Sequence, residues 1–380
     1  MSVSSNQAKN TLRIWTRSGG RCEYEGCNEP LWRDDLTMTE MNRAYIAHIV
    51  AKSSDGPRGD PELSPKLADD PSNLMLLCDA HHRLVDREEV DQHPVERLRR
   101  MKELHEERIE IVTGITAEKR SEVLLYGANI GTQASPVSRQ KAVEAMLPDR
   151  YPDCPTGITL GMVNSAFRDD DDAFWCVEEE NLRRLFQERV SHRLATGTIE
   201  HLSVFGAAPQ PLLVLLGTLL SDLTAADVFQ LHREPAGWRW PDSTSGIEFC
   251  VKDPSRQNGQ PALVLSLSAT ITEDRILPVL GDDASLWTLA ITTPNNDFLK
   301  SRRQLQQFRE TVRPLLDRIK AVHGQKTPLH IFPAVPVSVA VELGRVRTPK
   351  ADQPWIIYDQ VNARGGFVRA ITIPKEFEYD

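Results

Sequence analysis

Two pairs of metal-ligand residues, far apart in the sequence, constrain the fold of the N-terminal part of the chain most strongly. Cys22 and Cys27 are separated by four residues, and Cys78 and His81, further along the chain, are separated by two. Thiolate and imidazole groups in two close pairs are typical of a tetrahedral zinc site. We therefore predict that these four residues bind a structural Zn²⁺ ion.

The module around this site has little else to stabilise it. Residues 11–93 are rich in turn-forming residues and contain two short apolar strand candidates, AYIAHIVA and NLMLLC. Because large apolar side chains are few, zinc binding would supply much of the folding free energy. The following segment, PVERLRRMKELHEERIEIVTGI, predicts an exposed amphipathic helix that ends the module and is a candidate for dimerisation.

A second histidine, His82, follows His81 directly. Side chains of neighbouring residues diverge, so His82 would point away from the zinc site and could bind a second metal ion. Asp86 stands four residues on, on the same helix face, and a histidine with a carboxylate suits Mg²⁺ or Mn²⁺. For Asp86, a solvent-exposed residue or a partner that orients a histidine is an equally good interpretation.

His48 lies at the end of the first strand candidate. A neutral imidazole near a metal ion can take a proton from water while the metal stabilises charge on a phosphate. A single histidine is more often structural than catalytic. The order of strand, His48, loop, Asn73 and Cys-His motif favours the catalytic interpretation.

Residues 22–86 resemble an HNH endonuclease of the ββα-metal fold in its zinc-knuckle form, with AHI, NL and the Cys-x2-His-His motif in the family's order. The resemblance implies that His48 is the general base, that Asn73 positions the loop, and that His82 binds the catalytic metal ion.

The chain departs from the family pattern before the general base. Many HNH enzymes have a further metal ligand, Asp or His, where this chain has Ala47, and we predict Asp86 as its substitute. Arg58, in DGPRG, is a candidate to clamp the scissile phosphate, and a surface loop arginine is an equally good interpretation.

Charge limits how the chain can bind nucleic acid. The formal net charge is -9, and residues 1–93 contain 11 Lys and Arg against 16 Asp and Glu. Phosphate binding depends on clustered basic residues, so one protomer should bind DNA weakly. The sequence also lacks an apolar run long enough for a bilayer and a signal peptide at its start, which predicts a cytoplasmic protein.

The C-terminal part of the chain alternates short β-type runs with helical patterns, which predicts an α/β domain with a mainly parallel sheet. Two segments in it, residues 202–217 and 329–344, align without a gap at an offset of 127 residues. The identical pairs are Leu202/Leu329, Phe205/Phe332, Ala207/Ala334, Pro209/Pro336, Leu216/Leu343 and Gly217/Gly344. We interpret them as two copies of one strand-turn-helix lobe.

Helix N-termini bind anions, so two equivalent N-termini facing one cleft would suit a ligand with two phosphates. Aromatic side chains could stack on its bases, although core packing is the more common role of a single tryptophan. The predicted ligand-contacting residues are Pro209, Gln210, Trp238, Trp240, Phe332, Pro333, Pro336, Ser338, Lys350 and Tyr358.

The duplicated segments resemble the SAVED domain, a fusion of two CARF-like lobes that recognises cyclic oligonucleotide second messengers. HNH followed by SAVED is the layout of a DNA-degrading effector in bacterial cyclic-oligonucleotide antiphage signalling (CBASS). We therefore predict an α+β HNH module with its trailing helix at residues 1–115, a linker at 116–154, and an α/β SAVED domain at 155–380.

The predicted function is degradation of double-stranded DNA by a homo-oligomer activated by a cyclic di- or trinucleotide. Two alternatives stay open at this point. One is a restriction-type HNH nuclease whose C-terminal domain reads modified DNA. The other is a non-catalytic zinc module that binds DNA.

Overall fold

The structure is a computed structural model that describes residues 5–130, 137–162, 165, 167–171, 173–241, 243, 246–361 and 364–374, with side chains from residue 7 onward. The chain divides into two compact units, Met1–Thr116 and Ala117–Asp380. Each is described by itself below. Within the described residues, no helix is both long enough and apolar enough to span a lipid bilayer.

The first unit has a ββα arrangement between two longer helices. Its helices are α1 (Ser5–Arg17), α2 (Leu63–Leu67), α3 (Asp79–Arg83) and α4 (Val95–Thr113). Its strands are β1 (Ala44–His48) and β2 (Leu74–Cys78), which pair antiparallel with His48 opposite Leu74. A π-helical segment, Leu84–Glu88, continues α3, and single 3-10 turns form at Pro71–Asn73 and Val90–Gln92.

The small core of this unit surrounds β2, whose five residues are all buried. Ile14 of α1 and Leu98 and Met101 of α4 belong to the same core cluster. The predicted helix after residue 94 therefore forms, but the structure covers much of its apolar face with the rest of the unit. Leu104 remains 47% exposed.

The second unit contains two sheets. Its strands are β3 (Arg120–Gly127), β4 (Tyr151–Pro152), β5 (Ile158–Thr159), β6 (Leu202–Ala207), β7 (Ala226–Phe229), β8 (His232–Arg233), β9 (Ala236–Gly237), β10 (Phe249–Lys252), β11 (Pro261–Ser266), β12 (Ser285–Ile291), β13 (Leu329–Ala334), β14 (Trp355–Val361) and β15 (Gly366–Ile373). Its helices are α5 (Arg139–Met146), α6 (Phe174–Phe186), α7 (His192–Ala195), α8 (Gln210–Leu220), α9 (Leu277–Leu280), α10 (Arg302–His323) and α11 (Val337–Arg345).

The first of these sheets is parallel, in the order β4-β3-β6-β7, with β5 also paired to β3. The second has the order β10-β12-β11-β13-β14-β15. Its four inner strands are parallel, and its two edge strands, β10 and β15, are antiparallel to their neighbours. The predicted α/β fold with mainly parallel sheets is confirmed. A separate short hairpin joins β8 and β9.

The internal duplication is present in three dimensions. Strands β6 and β13 have equivalent bounds at the offset of 127 residues, and α8 and α11 begin at equivalent residues. The two helices cross where both repeats have glycine. A Cβ on Gly217 would lie 1.9 Å from the Val341 carbonyl oxygen, and one on Gly344 would lie 2.0 Å from the Val214 carbonyl oxygen. Both positions therefore require glycine for this close backbone approach.

The prediction of a linker at residues 116–154 needs correction, because β3, α5 and β4 lie in this segment and belong to the second unit. Arg120–Gly127 forms β3, which is buried apart from its ends and pairs in parallel with β6. The residues around this strand are mostly polar, so the sequence of the whole segment predicted a linker. The partner of β3 is β6, which lies about 80 residues further along the chain. Residues 131–136 of the predicted linker lie outside the described residues.

Candidate functional site

The four predicted zinc ligands meet in the first unit. The ligand atoms of Cys22, Cys27, Cys78 and His81 all lie within 4.8 Å of one another. His81 Nδ1 is 3.1 Å from Cys78 Sγ and 3.7 Å from Cys22 Sγ. Zinc bonds of about 2.3 Å to sulfur and 2.1 Å to nitrogen separate tetrahedral ligand atoms by about 3.6 Å. The cluster thus fits a zinc ion.

Local structure and burial prepare this cluster for a cation. Cys78 ends β2, and its N–H donates to Cys22 Sγ at 3.4 Å. The ring of Tyr24 stacks on His81 at 4.1 Å between centroids. Burial raises the pKa of the Cys22 and Cys78 thiols and lowers the pKa of His81. Buried thiolates need a neighbouring positive charge, which a metal ion provides.

His82 belongs to a different cluster from His81. Its Nε2 lies 3.3 Å from Asp86 Oδ2, one helical turn on, and the ring of Tyr45 stacks on its ring at 4.8 Å. The two adjacent histidines therefore serve separate groups of residues, as their divergent directions predicted. About a quarter of the His82 side chain is exposed to solvent.

The imidazole of His48 is fixed through one nitrogen. Its Nε2 lies 3.0 Å from the carbonyl oxygen of Ala68. A carbonyl oxygen only accepts, so Nε2 carries the proton of this hydrogen bond. In the neutral ring Nδ1 then has a free lone pair and can accept a proton.

Asn73 joins the two chain segments next to His48. It is 2% exposed, its Oδ1 accepts from the Val50 N–H at 2.8 Å, and its Nδ2 donates to the Val50 carbonyl at 2.9 Å. Nδ2 also lies 3.1 Å from the carbonyl oxygen of Leu67, next to the residue that accepts from His48. The carboxamide thus holds both the loop that follows His48 and the segment that orients its ring.

Arg58 lies inside the site and not on its surface. Its Nε donates to the Ile49 carbonyl and its Nη1 to the Val85 carbonyl, both at 2.8 Å. Its Nη2 reaches the His48 carbonyl at 3.3 Å and Asp86 Oδ1 at 2.5 Å. The side chain is only 6% exposed. The interpretation of Arg58 as a surface loop residue is therefore wrong.

In the second unit, two glutamine side chains hold the start of α11: Gln210, the first residue of α8, and Gln230, which follows β7. Pro209 and Pro336, both buried, precede the two helices. Gln210 Oε1 accepts from the Val335 N–H at 3.0 Å. Gln230 Oε1 accepts from the Ser338 N–H at 3.2 Å and from its hydroxyl at 2.7 Å. The hydroxyl of Ser338, a predicted ligand contact, is thus already hydrogen-bonded within the protein.

Several predicted ligand-stacking aromatics pack in the core. The ring of Phe332 stacks on that of Tyr358 at 4.4 Å, and the Tyr358 hydroxyl lies 2.9 Å from His330 Nδ1. Trp238 packs edge-on against Phe205. Because these rings are at most 6% exposed, the interpretation that they stack on bases needs correction to core packing. Pro333 is buried in β13, and Lys350 is exposed.

A histidine that the sequence analysis missed lies beside Trp240. His232 is 2% exposed, and its ring meets that of Trp240 edge-on at 5.4 Å. Both ring nitrogens of His232 and the indole nitrogen of Trp240 are buried without a hydrogen-bond partner. Only its position three residues after the end of strand β7 could have drawn attention to His232 in the sequence.

Two family models match the chain. The SAVED model, described as the SMODS-associated and fused to various effectors sensor domain, matches residues 182–373, which is half of the chain. The HNH endonuclease model matches residues 32–90, which include β1, β2 and α3. No protein with curated functional information matches significantly.

Similar solved structures include two Cap4 SAVED/CARF-domain containing receptors. The one from Acinetobacter baumannii with the cyclic trinucleotide 2'3'3'-cAAA is 13% identical, with a TM-score of 0.45, over 83% of this chain and 67% of that chain. The one from Moraxella osloensis is 11% identical, with a TM-score of 0.41, over 75% of this chain and 63% of that chain.

The two family matches agree with the ββα site of the first unit and the duplicated lobes of the second. The resemblance to an HNH endonuclease joined to a SAVED sensor is confirmed. The chain belongs to the SAVED family, and its sensor domain follows an HNH endonuclease domain along the chain. This is the domain order of the effector nucleases of CBASS antiphage signalling.

Proposed function

We propose that this protein cleaves double-stranded DNA with little sequence preference when its SAVED unit binds a cyclic di- or trinucleotide, as an effector of abortive-infection antiphage defence. The presence of both domains in one chain, HNH at residues 32–90 and SAVED at 182–373, carries the proposal. Because the sensor and the nuclease are parts of one polypeptide, ligand binding to the sensor can control cleavage by the nuclease.

His48 acts as the general base in this proposal. Its Nε2–H donates to the Ala68 carbonyl, so Nδ1 keeps the lone pair that would take a proton from the attacking water. Asn73 keeps the His48 loop in place through its paired hydrogen bonds to Val50. General-base assistance of this kind contributes about 10²–10⁴-fold to a rate.

His82 and Asp86 would hold a divalent ion, Mg²⁺ or Mn²⁺. The 3.3 Å between His82 Nε2 and Asp86 Oδ2 fits two neighbouring ligands of an octahedral ion, which lie about 3 Å apart. Such an ion, when bound, stabilises negative charge on the phosphate and on the leaving 3' oxygen. The Cys22, Cys27, Cys78 and His81 cluster holds zinc in a purely structural role.

The charge of the nuclease unit supports control of cleavage by the messenger. Residues 1–116 contain 16 Lys and Arg against 21 Asp and Glu, so a single unit binds the DNA backbone weakly. Association of several copies adds phosphate contacts and raises the effective concentration of DNA-binding surface. We propose that binding of the messenger promotes a homo-oligomer in which several HNH units act on one DNA molecule.

Plasmid cleavage by the full chain tests the proposal. Purified protein with Mg²⁺ would be screened against cyclic dinucleotides and cyclic trinucleotides, the latter because the Acinetobacter baumannii Cap4 structure holds one. The expected result is cleavage with one or a few of these compounds and none without them. Cleavage at the same rate without any compound would refute gating, and failure of every compound to bind would refute the messenger.

A further inference from the structure

One guanidinium group connects the two halves of the candidate HNH site. Arg58 follows the His48 loop, and its side chain donates to the carbonyl oxygens of His48, Ile49 and Val85 and to the carboxylate of Asp86. Among the described residues, no other side chain hydrogen-bonds both to the backbone of His48 and to the carboxylate of Asp86. Arg58 thus connects strand β1, which ends at His48, with the helical segment Leu84–Glu88.

The burial and the backbone conformation of Arg58 are both energetically unfavourable, which indicates that its position serves the function of the site. A guanidinium that is 6% exposed must have its donors paired, and here each of its three nitrogens has an acceptor. Arg58 also adopts a φ of 58°, in the left-handed region that residues with a side chain rarely occupy. The chain thus accepts local strain to bring this side chain inward.

We propose that Arg58 is a positioning residue that sets the spacing between the general base and the metal-binding carboxylate. By occupying Asp86 Oδ1, it leaves only Oδ2 facing His82 Nε2. By holding the His48 carbonyl, it ties the base to the same frame. The proposal rests on the roles given above to His48, His82 and Asp86.

The rival assignment for Arg58 is a phosphate contact, and the two differ in what they predict. Loss of a phosphate contact lowers both the affinity for DNA and the salt dependence of DNA binding. A positioning residue buried behind Asp86 leaves DNA affinity unchanged and weakens metal binding instead, because partners beyond the ligands themselves tune metal affinity by about 10–100-fold.

The test uses the full chain with Arg58→Lys, which keeps the charge but cannot reach four acceptors from one ammonium group. Mn²⁺ binding would be measured by calorimetry without DNA, and DNA binding by anisotropy in buffer without divalent ions. We expect the Kd for Mn²⁺ to rise about 10-fold or more, DNA affinity to change less than about 2-fold, and zinc content to stay unchanged. Arg83→Gln, at an exposed arginine paired with Asp79, is the matched control.

Arg58→Gln is the second variant if Arg58→Lys is poorly folded, because its carboxamide can still donate to a carbonyl acceptor but carries no charge to pair with Asp86. Normal Mn²⁺ affinity in a variant that keeps its zinc, or lost DNA affinity with normal Mn²⁺ binding, would overturn the proposal. Mn²⁺ binding is measured without messenger or cleavage, so failure of the proposed gating would leave this result intact.

Discussion

The two units of this protein are stabilised in opposite ways. The first unit has a core cluster of thirteen buried residues, of which Cys22 and Cys78 also belong to the Cys3His cluster, and a buried arginine joins two of its segments. The second has a continuous apolar core between two sheets and their helices, with whole strands buried. We therefore expect the fold of the first unit to depend mainly on metal binding and polar contacts, and the fold of the second mainly on apolar packing. Mutations should reveal this difference directly.

The largest effect should come from removal of the zinc cluster. Cys78→Ser takes away one of the four proposed zinc ligands. Because the proposed zinc ion would supply much of the folding free energy, the first unit should lose its fold while the second stays folded. Calorimetry should then show one transition where the wild type shows two, and metal analysis should show no zinc. An unchanged unfolding profile would contradict the comparison. Cys250→Ser, at an exposed cysteine, is the control.

The next largest effect should come from His48→Ala. Removing the general base should lower the cleavage rate by about 10²–10⁴-fold. Zinc content, messenger binding and Mn²⁺ binding should remain, because the hydrogen bond of the His48 ring goes to Ala68 and the Arg58 contact is with the His48 backbone, which alanine keeps. Retention of full activity would show that another residue activates the water. Tyr45→Phe, a neighbour on β1 whose ring would still stack on His82, controls for changes in strand structure.

The large unit should be most sensitive where its two repeats meet. Gly344→Ala puts a Cβ 2.0 Å from the Val214 carbonyl oxygen, so α8 and α11 must separate. We expect a loss of about 3 kcal/mol or more in the free energy of unfolding of the second unit. Gly366→Ala, where an added Cβ meets no atom within 4 Å, should change it by less than about 0.5 kcal/mol. Similar losses for both variants would contradict the crossing.

The smallest effect concerns a buried carboxyl in the large unit. Both carboxylate oxygens of Glu178 are buried without a partner, and burial raises the pKa of this group to about 7. The folded state therefore keeps the proton to higher pH than the unfolded state, and stability falls as pH rises from about 4.5 to about 7. Above about pH 7 Glu178 is ionised in both states, and the loss of stability has reached its full size.

Glu178→Gln removes this titration. The wild type should lose up to about 3 kcal/mol relative to the variant between pH 5 and pH 8, as measured by denaturant unfolding at each pH. A constant difference across this range would show that the pKa of Glu178 is ordinary. Glu180→Gln, at an exposed residue on the same helix, is the control.

The difference between the units also explains what the sequence could predict. Each ligand pair of the first unit, Cys22 with Cys27 and Cys78 with His81, is encoded at a short spacing, and the need of zinc for four ligands predicted that the two pairs meet. The separate direction of His82 follows from its position next to His81. The sequence analysis named Arg58 but could not predict that it is buried, because its burial depends on how the loop after His48 folds back onto Val85.

In the second unit the repeat predicted two lobes and their helices, because its matched strands and turns are local features. The ligand site could not be predicted in the same way. Phe332 and Tyr358 lie on strands in a face that residues Ile271 and Ile276 help to bury, and no local pattern distinguishes a covered sheet face from an open one. Strand β3 was missed because its short apolar run lies within a mostly polar segment, which predicted a linker as a whole.

The most direct test of the account is the ratio of plasmid cleavage rates with and without saturating messenger, measured on the full chain. The account predicts an increase of at least about 50-fold, together with larger assemblies on messenger binding and loss of cleavage in His48→Ala. A ratio near one, with the messenger bound to the protein, would contradict the claim that the SAVED unit controls the nuclease.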